Sequence, residues 1–180
     1  MSVEWLRNLA GASLTEEEMQ RVPYPKTELT AHVSIRFMQF NGLIGTWIIG
    51  PILALSKKEH RNLSCLKAKM TKAGRAGVFL GVPFGVLATY AKIGKESDPY
   101  KIWDRCYRLR HNRNQVRVDQ ASTVSTLGGA VLGVASGGGA WFGALMGMSA
   151  GIMASAVYNN KLEKDEKKRA AEALQKDNTP

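Results

Sequence analysis

The chain has 180 residues, enough for a single domain, and carries a formal net charge of +10. So basic a chain could bind nucleic acid, but its Lys and Arg residues lie between apolar runs, as in membrane proteins, and we expect no nucleic-acid partner. From Ala121 to Asn160 there is neither a charged residue nor a histidine, which leaves room for two membrane-spanning helices. The alternative is a buried hairpin in a globular core, for which the remaining chain has too few apolar residues.

Residues 1–31 are predicted to form a polar N-terminal arm. Thr15 followed by Glu16–Glu18 is typical of a helix start, and Pro23 and Pro25 are typical of its end. The acidic residues do not suit a cleavable mitochondrial presequence, and no apolar run follows the N-terminus as in a secretory signal. For a mitochondrial protein, we therefore expect an internal targeting signal.

Four membrane-spanning helices are predicted within the transmembrane domain 32–160. The third and fourth are separated at Ser136–Gly139, because consecutive glycines favour a tight turn over a helix interior. Pro51 lies near the end of the first span and Pro83 lies inside the second, where a bend is expected. The spans cover about 33–55, 73–93, 120–135 and 140–158, and a charged C-terminal tail follows at 161–180.

Each predicted span repeats small residues at every fourth position, which places them on one face of a helix. Such faces let two backbones approach closely in lipid, where no hydrophobic drive between helices operates. We therefore predict an all-α membrane protein with four transmembrane helices that pack through glycine faces, against one another or against a neighbouring subunit. The predicted packing residues are Gly42, Gly50, Gly77, Gly81, Gly85, Gly129, Gly133, Gly143, Gly147 and Gly151.

The loop between the second and third spans is predicted to contain a helix at the membrane interface. Asp98 and Pro99 suit its start, and aromatic residues recur along one face. Aromatic and basic side chains together are typical of a helix among anionic headgroups. We interpret this helix as a phospholipid contact, with cardiolipin as the specific hypothesis, or as a basic loop against an acidic partner subunit. The predicted contact residues are Trp103, Arg105, Tyr107, Arg108 and Arg117.

Neither a catalytic site nor a metal site is predicted. The histidines at 32, 60 and 111 have no carboxylate or thiol at ligand or triad spacing. Cys65 and Cys106 fall in successive loops, which the predicted topology places on opposite sides of the membrane. The glycines at 137–139 form neither a dinucleotide fingerprint nor a phosphate-binding loop. We expect a protein that is not an enzyme and has no cofactor other than a bound lipid.

A signature across the second loop and third span resembles that of the inner-membrane preprotein translocase (Tim) family. The signature is Arg, three residues, Asp, six residues, a small residue, Gly, three residues and Gly. Arg117, Gly128-Gly129 and Gly133 match its spacing, but Ala121 stands at the Asp position. The layout of residues 33–158 also resembles the four glycine-rich spans of the family.

The Tim-type family includes translocase channels and a four-helix accessory subunit of respiratory complex I. A conduit needs a polar lining, whereas the third and fourth spans offer only hydroxyl groups, so we expect a packing role. The resemblance implies a non-catalytic accessory subunit that stabilises the membrane arm of mitochondrial complex I, with other membrane subunits and phospholipid as partners. The alternative is a component of a preprotein or metabolite translocase of the mitochondrial inner membrane.

The distribution of basic residues predicts an orientation in that membrane. Lys and Arg are densest in the first loop, which the positive-inside rule places in the matrix. We therefore expect both termini in the intermembrane space.

Overall fold

The computed structural model describes residues 2–56, 62–96 and 98–177, and every regular element in these ranges is a helix. The predicted all-α class is confirmed. The helices are α1 (Val3–Leu9), α2 (Glu16–Gln20), α3 (Pro25–Ile44), a π-helical turn (Gly45–Ile49), α4 (Gly50–Leu55), α5 (Leu63–Ile93), α6 (Pro99–His111), α7 (Arg113–Ala135) and α8 (Ala140–Asp177).

Three helical segments are long and apolar enough to cross a membrane. They are the rod formed by α3 and α4 (Pro25–Leu55), α5 (Leu63–Ile93) and α8 as far as Gln175. The first, second and fourth predicted spans lie within these segments. The third predicted span lies within α7, which is not one of them because polar and charged residues in its first turns lower its mean hydropathy.

A π-helical turn joins α3 to α4 without a break in the rod. Pro51 has no N–H with which to bond the carbonyl group four residues earlier. Just before it, the Gly50 N–H bonds to the Gly45 carbonyl, five residues back. Such a wider turn is a common way for a helix to accommodate a local disturbance. The π-helical turn therefore lies directly before Pro51, where the sequence indicates that a kink is tolerated.

Two of the helices begin earlier than the predicted spans. α3 begins at Pro25, a residue well suited to a first helical turn, so its first turns occupy part of the predicted arm. α5 begins after Asn62, whose side chain accepts a hydrogen bond from the Cys65 N–H at 2.7 Å. The predicted spans begin where charged residues give way to apolar ones. Lys and Arg are good helix formers, so a helix can extend beyond the apolar stretch.

Two helix hairpins form the body of the protein. The rod of α3 and α4 pairs with α5, and α7 pairs with α8. The turn between α7 and α8 contains Gly137 and Gly139 with φ values of 68° and 90°, a conformation that L side chains rarely adopt. The glycine turn predicted at Ser136–Gly139 therefore lies where it was expected. The two hairpins lie side by side, with α3 and α5 in contact with α8.

The N-terminal arm and α6 lie together at one end of the hairpins. α1 contacts α7, and α2 contacts α6. A small hydrophobic core closes this end, built from Val22, Leu29, Ile93, Ile102 and Cys106. The start of α5 and the glycine turn lie at the opposite end. The final part of α8, from Lys161 onward, is a charged and largely exposed helix.

Large apolar side chains cover the outside of both hairpins. Leu87 on α5 is 65% exposed, and Leu132 on α7 is 70% exposed. Apolar surface of this extent is uncommon on a monomeric water-soluble protein. The surface is compatible with a membrane protein.

Candidate functional site between the helix hairpins

The small-residue faces of α7 and α8 lie directly against each other. A methyl group added at Gly129 would collide with the carbonyl group of Gly143, and one added at Gly151 would lie 2.5 Å from the Ala121 carbonyl oxygen. Either substitution requires the helices to move apart. The predicted packing glycines of this hairpin all lie in the contact: Gly129, Gly133, Gly143, Gly147 and Gly151.

The other hairpin has the same kind of contact. Gly77 on α5 lies against the carbonyl group of Asn41, and a methyl group added at Gly50 would lie 2.5 Å from the Cα of Met70. Gly42 differs, because it faces side chains, one of them on α8. The predicted packing glycines here are Gly42, Gly50, Gly77, Gly81 and Gly85. Across the described residues, both sets of glycines are covered by neighbouring parts of the same chain.

A cluster of polar side chains, built around one ion pair, joins the two hairpins. Nη2 of Arg36 on α3 lies 2.9 Å from Oδ1 of Asp119 on α7. Nδ1 of His32, one turn earlier on α3, lies 3.6 Å from Oδ2 of the same carboxylate. The Asp119 side chain is only 8% exposed, so water screens this attraction little. The Arg36–Asp119 ion pair therefore links α3 to α7.

Uncharged polar groups extend this cluster along α3 and α7. Nη1 of Arg36 donates to Oε1 of Gln39 at 2.8 Å. The Gln39 amide donates to the Ser122 hydroxyl at 2.7 Å, and that hydroxyl donates to the Asp119 carbonyl at 3.0 Å. Hydrogen bonds between membrane helices contribute about 0.6–2 kcal/mol each. These hydrogen bonds satisfy polar side chains that are buried between the two hairpins.

A second buried ion pair fixes the N-terminal arm. Arg110 on α6 binds the Glu28 carboxylate through Nε and Nη2, both at 2.7 Å. Nη2 also donates to the Ser2 hydroxyl at 2.8 Å, and Nη1 donates to three carbonyl groups within residues 18–21. The Arg110 side chain is 1% exposed. Each of its nitrogen atoms is therefore engaged, and together they tie α1 and α2 to α3 and α6.

A cavity of about 30 Å³ lies between the two ion pairs. Its walls include His32 and Asp119 on one side and Glu28, Cys106 and Arg110 on the other. A cavity of this size has room for about two water molecules.

Cys106 borders this cavity but is poorly placed to react. Burial, together with the nearby Glu28 carboxylate, raises the pKa of its thiol to about 12. The thiol donates to the Pro25 carbonyl at 3.1 Å. Since the thiolate is the reactive form of cysteine, a thiol held protonated in this way is inert near neutral pH.

The aromatic residues predicted to contact lipid or a partner lie against the N-terminal arm. Trp103 and Tyr107 stack with ring centroids 5.3 Å apart. Trp103 Nε1 donates to the Gln20 carbonyl at 3.0 Å, and the Tyr107 hydroxyl donates to the Glu16 carboxylate at 2.5 Å. This last hydrogen bond raises the pKa of Tyr107 and lowers that of Glu16. Helix α2 thus covers part of the aromatic face of α6.

The predicted basic residues differ in their environments. Arg108 pairs with Asp104 at 2.6 Å, one turn away on α6. Arg117 donates to Asn159 on α8 at 3.1 Å and lies over the ring of Tyr158. Arg105 makes neither a hydrogen bond nor an ion pair with any described residue.

The residues 2–56, 62–96 and 98–177 contain no group of three His, Cys, Asp or Glu side chains that could hold a metal ion. Both cysteines are free thiols, with Cys65 and Cys106 near opposite ends of the hairpins. His60, which was considered as a ligand, lies outside the described residues.

Some contact residues escaped the sequence analysis. Gly74 faces the Thr46 hydroxyl, and Gly45 faces the carbonyl group of Ala73. Asp119 was not singled out, although it immediately precedes the long uncharged run. The sequence did contain a signal for this ion pair. Asp119 lies at the edge of the uncharged run and Arg36 lies inside the first predicted span, and charged residues at such positions are expected to pair.

The fold and its buried ion pairs define an all-helical protein with three helices able to cross a membrane. A family model described as "Protein of unknown function (DUF1757)" matches residues 5–158. That range extends from α1 into α8 and covers most of the chain, so the protein belongs to the DUF1757 family. A search of curated proteins finds no match.

Proposed function

We propose that this protein is a non-catalytic, four-span subunit that stabilises a large membrane complex. The membrane arm of mitochondrial complex I, the NADH:ubiquinone oxidoreductase of the respiratory chain, is the proposed location. The observation that carries the proposal is the Arg36–Asp119 pair with its relay through Gln39 and Ser122. Its charged and polar groups bind one another across the hairpins, an arrangement suited to holding helices together.

The packing of α7 supports a fourth span. Its uncharged part, 120–135, rises about 24 Å, a little less than the hydrocarbon core of a bilayer. It lies along α8, with which it shares the glycine contact. Val124 and Val131 are large apolar residues exposed on its outer face. The charged first turns would lie at the membrane interface beside α6.

The inward-facing glycines refine the proposed partner contact. Because the glycine faces are filled within the chain, a neighbouring subunit would meet the outer apolar faces. Leu80 and Phe84 on α5 and Leu127 on α7 are exposed examples. Phospholipids would fill the gaps between such surfaces, with cardiolipin the specific candidate.

The arrangement of the ends is compatible with the proposed orientation. The N-terminal arm, α6 and the charged end of α8 lie at one end of the hairpins. The basic start of α5 lies at the other end, where Lys67 is placed over the Phe142 ring. We propose that this second end faces the matrix and both termini face the intermembrane space.

A component of an inner-membrane preprotein or metabolite translocase is the second candidate. An open groove of about 260 Å³ between the hairpins favours it. The polar side chains in its wall are Gln39, Ser122, Thr123 and Thr126. The remaining wall is apolar, which suits an apolar segment of a preprotein better than a hydrated metabolite.

Native gel electrophoresis of mild-detergent extracts separates the candidates. The proposal predicts that the tagged full-length chain comigrates with NADH-oxidising activity in a megadalton assembly. Its depletion should reduce that assembly before preprotein import falls. Recovery of the protein only in a small complex, with normal NADH oxidation, contradicts the complex I proposal. Extraction by alkaline carbonate would contradict the membrane placement itself.

A further inference from the structure

An open groove of about 480 Å³ lies between α3 and α5 where these helices reach α6. The residues that line it are Leu29, Val33, Ala88, Thr89, Lys92, Ile93 and Arg105. The Thr89 hydroxyl donates to the Gly85 carbonyl at 2.8 Å, so it is already bonded within its own helix. The groove therefore combines an apolar wall with two cations.

The two cations have no acidic partner in the described chain. Lys92 is exposed and Arg105 is half-buried, and neither forms an ion pair or hydrogen bond with a described residue. The nearby acidic residues are occupied elsewhere on this face. Glu96, which precedes α6, binds Lys101 at 3.2 Å, and Asp104 on α6 binds Arg108 at 2.6 Å. The attraction between Arg105 and the Glu96 carboxylate acts over a longer distance than an ion pair.

The groove continues onto an outer apolar surface. Leu87 and Phe84 are exposed on α5, one turn or less from Ala88. Lys92 and Arg105 lie at the other end, beside the polar α6. An apolar track that ends at two free cations complements a molecule with a hydrocarbon tail and a negatively charged head.

We propose that this groove binds one anionic phospholipid, with an acyl chain along Val33 and Ala88 and the phosphate between Lys92 and Arg105. The inference rests on the proposed membrane placement and deepens the proposed lipid contact. It moves that contact away from the aromatic face of α6, which α2 partly covers. Arg105 is then the only residue of the predicted α6 set that binds the phosphate directly.

Native mass spectrometry of the purified full-length chain tests the site. The protein is delipidated in detergent and then titrated with a phosphatidylglycerol or a phosphatidylcholine of identical acyl chains. We expect a one-to-one complex that prefers phosphatidylglycerol. A basic residue near an anionic lipid surface contributes about five-fold to binding, so Lys92→Gln with Arg105→Gln should weaken phosphatidylglycerol binding roughly thirty-fold.

Matched variants distinguish this site from general surface charge. Arg7→Gln with Arg108→Gln removes two cations that are already paired with acids and do not line the groove, and should change binding less than two-fold. Lys92→Arg with Arg105→Lys keeps the charges and should retain the preference. Ala88→Phe should obstruct the groove, whereas Leu132→Phe adds bulk on the exposed face of α7, away from the groove, and should not. Equal binding of both lipids, or equal losses in the two double-glutamine variants, overturns the proposal.

A photo-crosslinking residue at position 88 tests the occupant in native membranes. Phospholipid adducts support the proposal, whereas an adduct only with another polypeptide overturns it and identifies a partner helix. The lipid titration uses the isolated chain, so its outcome is independent of which complex contains the protein. A small native complex with intact lipid selectivity would refute the complex I proposal alone. A megadalton NADH-oxidising complex without lipid selectivity would refute the lipid site alone.

Discussion

The Arg36 guanidinium and the Asp119 carboxylate lie 2.9 Å apart, one on each helix hairpin. Glycines bring helices together within each hairpin, whereas this ion pair acts between the hairpins. Loss of one partner of a buried pair leaves an uncompensated charge, which is more harmful than loss of both. The pair is therefore the most direct place to test how the two hairpins are held.

Asp119→Asn should destabilise the protein by about 3–5 kcal/mol, because Arg36 keeps its charge in a poorly hydrated position. The double substitution with Arg36→Gln should cost less than the sum of the two single substitutions. Chemical denaturation in detergent measures each change. Lys101→Gln, which removes an exposed ion pair, serves as the control and should leave the transition unchanged. Additive losses at Arg36 and Asp119 would show that the two residues act independently.

Local periodicity made the glycine faces predictable from sequence. A repeat of four identifies a helix face wherever the helix is regular, and Gly129 and Gly143 meet as this pattern requires. The repeat also continues through the π-helical turn, since Thr46, Gly50 and Ala54 are all buried at intervals of four. The wider turn brings Gly45 inward as well, against the carbonyl group of Ala73, and a repeat of four does not predict that contact.

The sequence pattern could not predict which charged residues, far apart in the chain, form ion pairs. Glu28 and Arg110 belong to helices that the sequence could place only as an arm and a loop. No local pattern specifies which buried acid meets which base, because that depends on how the hairpins and the arm assemble. The prediction that α6 is a helix was nevertheless correct, since Asp98 accepts a hydrogen bond from the Tyr100 N–H at 2.9 Å and so caps it. The lipid role of its aromatic face stays a prediction.

Arg110→Lys should release the N-terminal arm while leaving the hairpins folded. A lysine keeps the charge but cannot bind Glu28 bidentately and reach the carbonyl groups of residues 18–21 at the same time. We expect trypsin to cleave at Arg7 and Arg21 much faster in this variant, with little change in helical content. Arg108→Lys is the matched control, because Arg108 is exposed on the same helix. Equal protection of the arm in both variants would contradict the anchoring role of Arg110.

Gly128 and Gly129 offer a matched pair for testing the glycine contact. A methyl group at Gly129 would collide with the Gly143 carbonyl, whereas nothing lies within 4 Å of a methyl group at Gly128. Gly129→Ala should therefore destabilise the protein by about 1–3 kcal/mol, the usual cost of overpacking. Gly128→Ala should be neutral or slightly stabilising, because alanine has the higher helix propensity. Thermal unfolding in detergent measures both changes. Similar losses at the two positions would contradict the close approach of α7 and α8.

Cys106 should be unreactive towards a maleimide near neutral pH until the protein unfolds. Cys65 is half-buried near the start of α5, so the native protein should show one reactive thiol and the denatured protein two. Rapid labelling of both thiols in the native state, with Cys65→Ser removing only one of them, would contradict the burial of Cys106.

The raised pKa of Cys106 also predicts a dependence of stability on pH. The native thiol stays protonated up to about pH 12, while the unfolded thiol ionises near its ordinary value of 9.0. Between these values the native state binds more protons than the unfolded state, so stability falls as pH rises. Denaturation midpoints at about pH 8 and about pH 10 should therefore differ more in the wild type than in Cys106→Ala, which lacks the titrating group. The two proteins share every other titratable residue, so an equal pH dependence would show that the thiol is not protected by the contact between α6 and the start of α3.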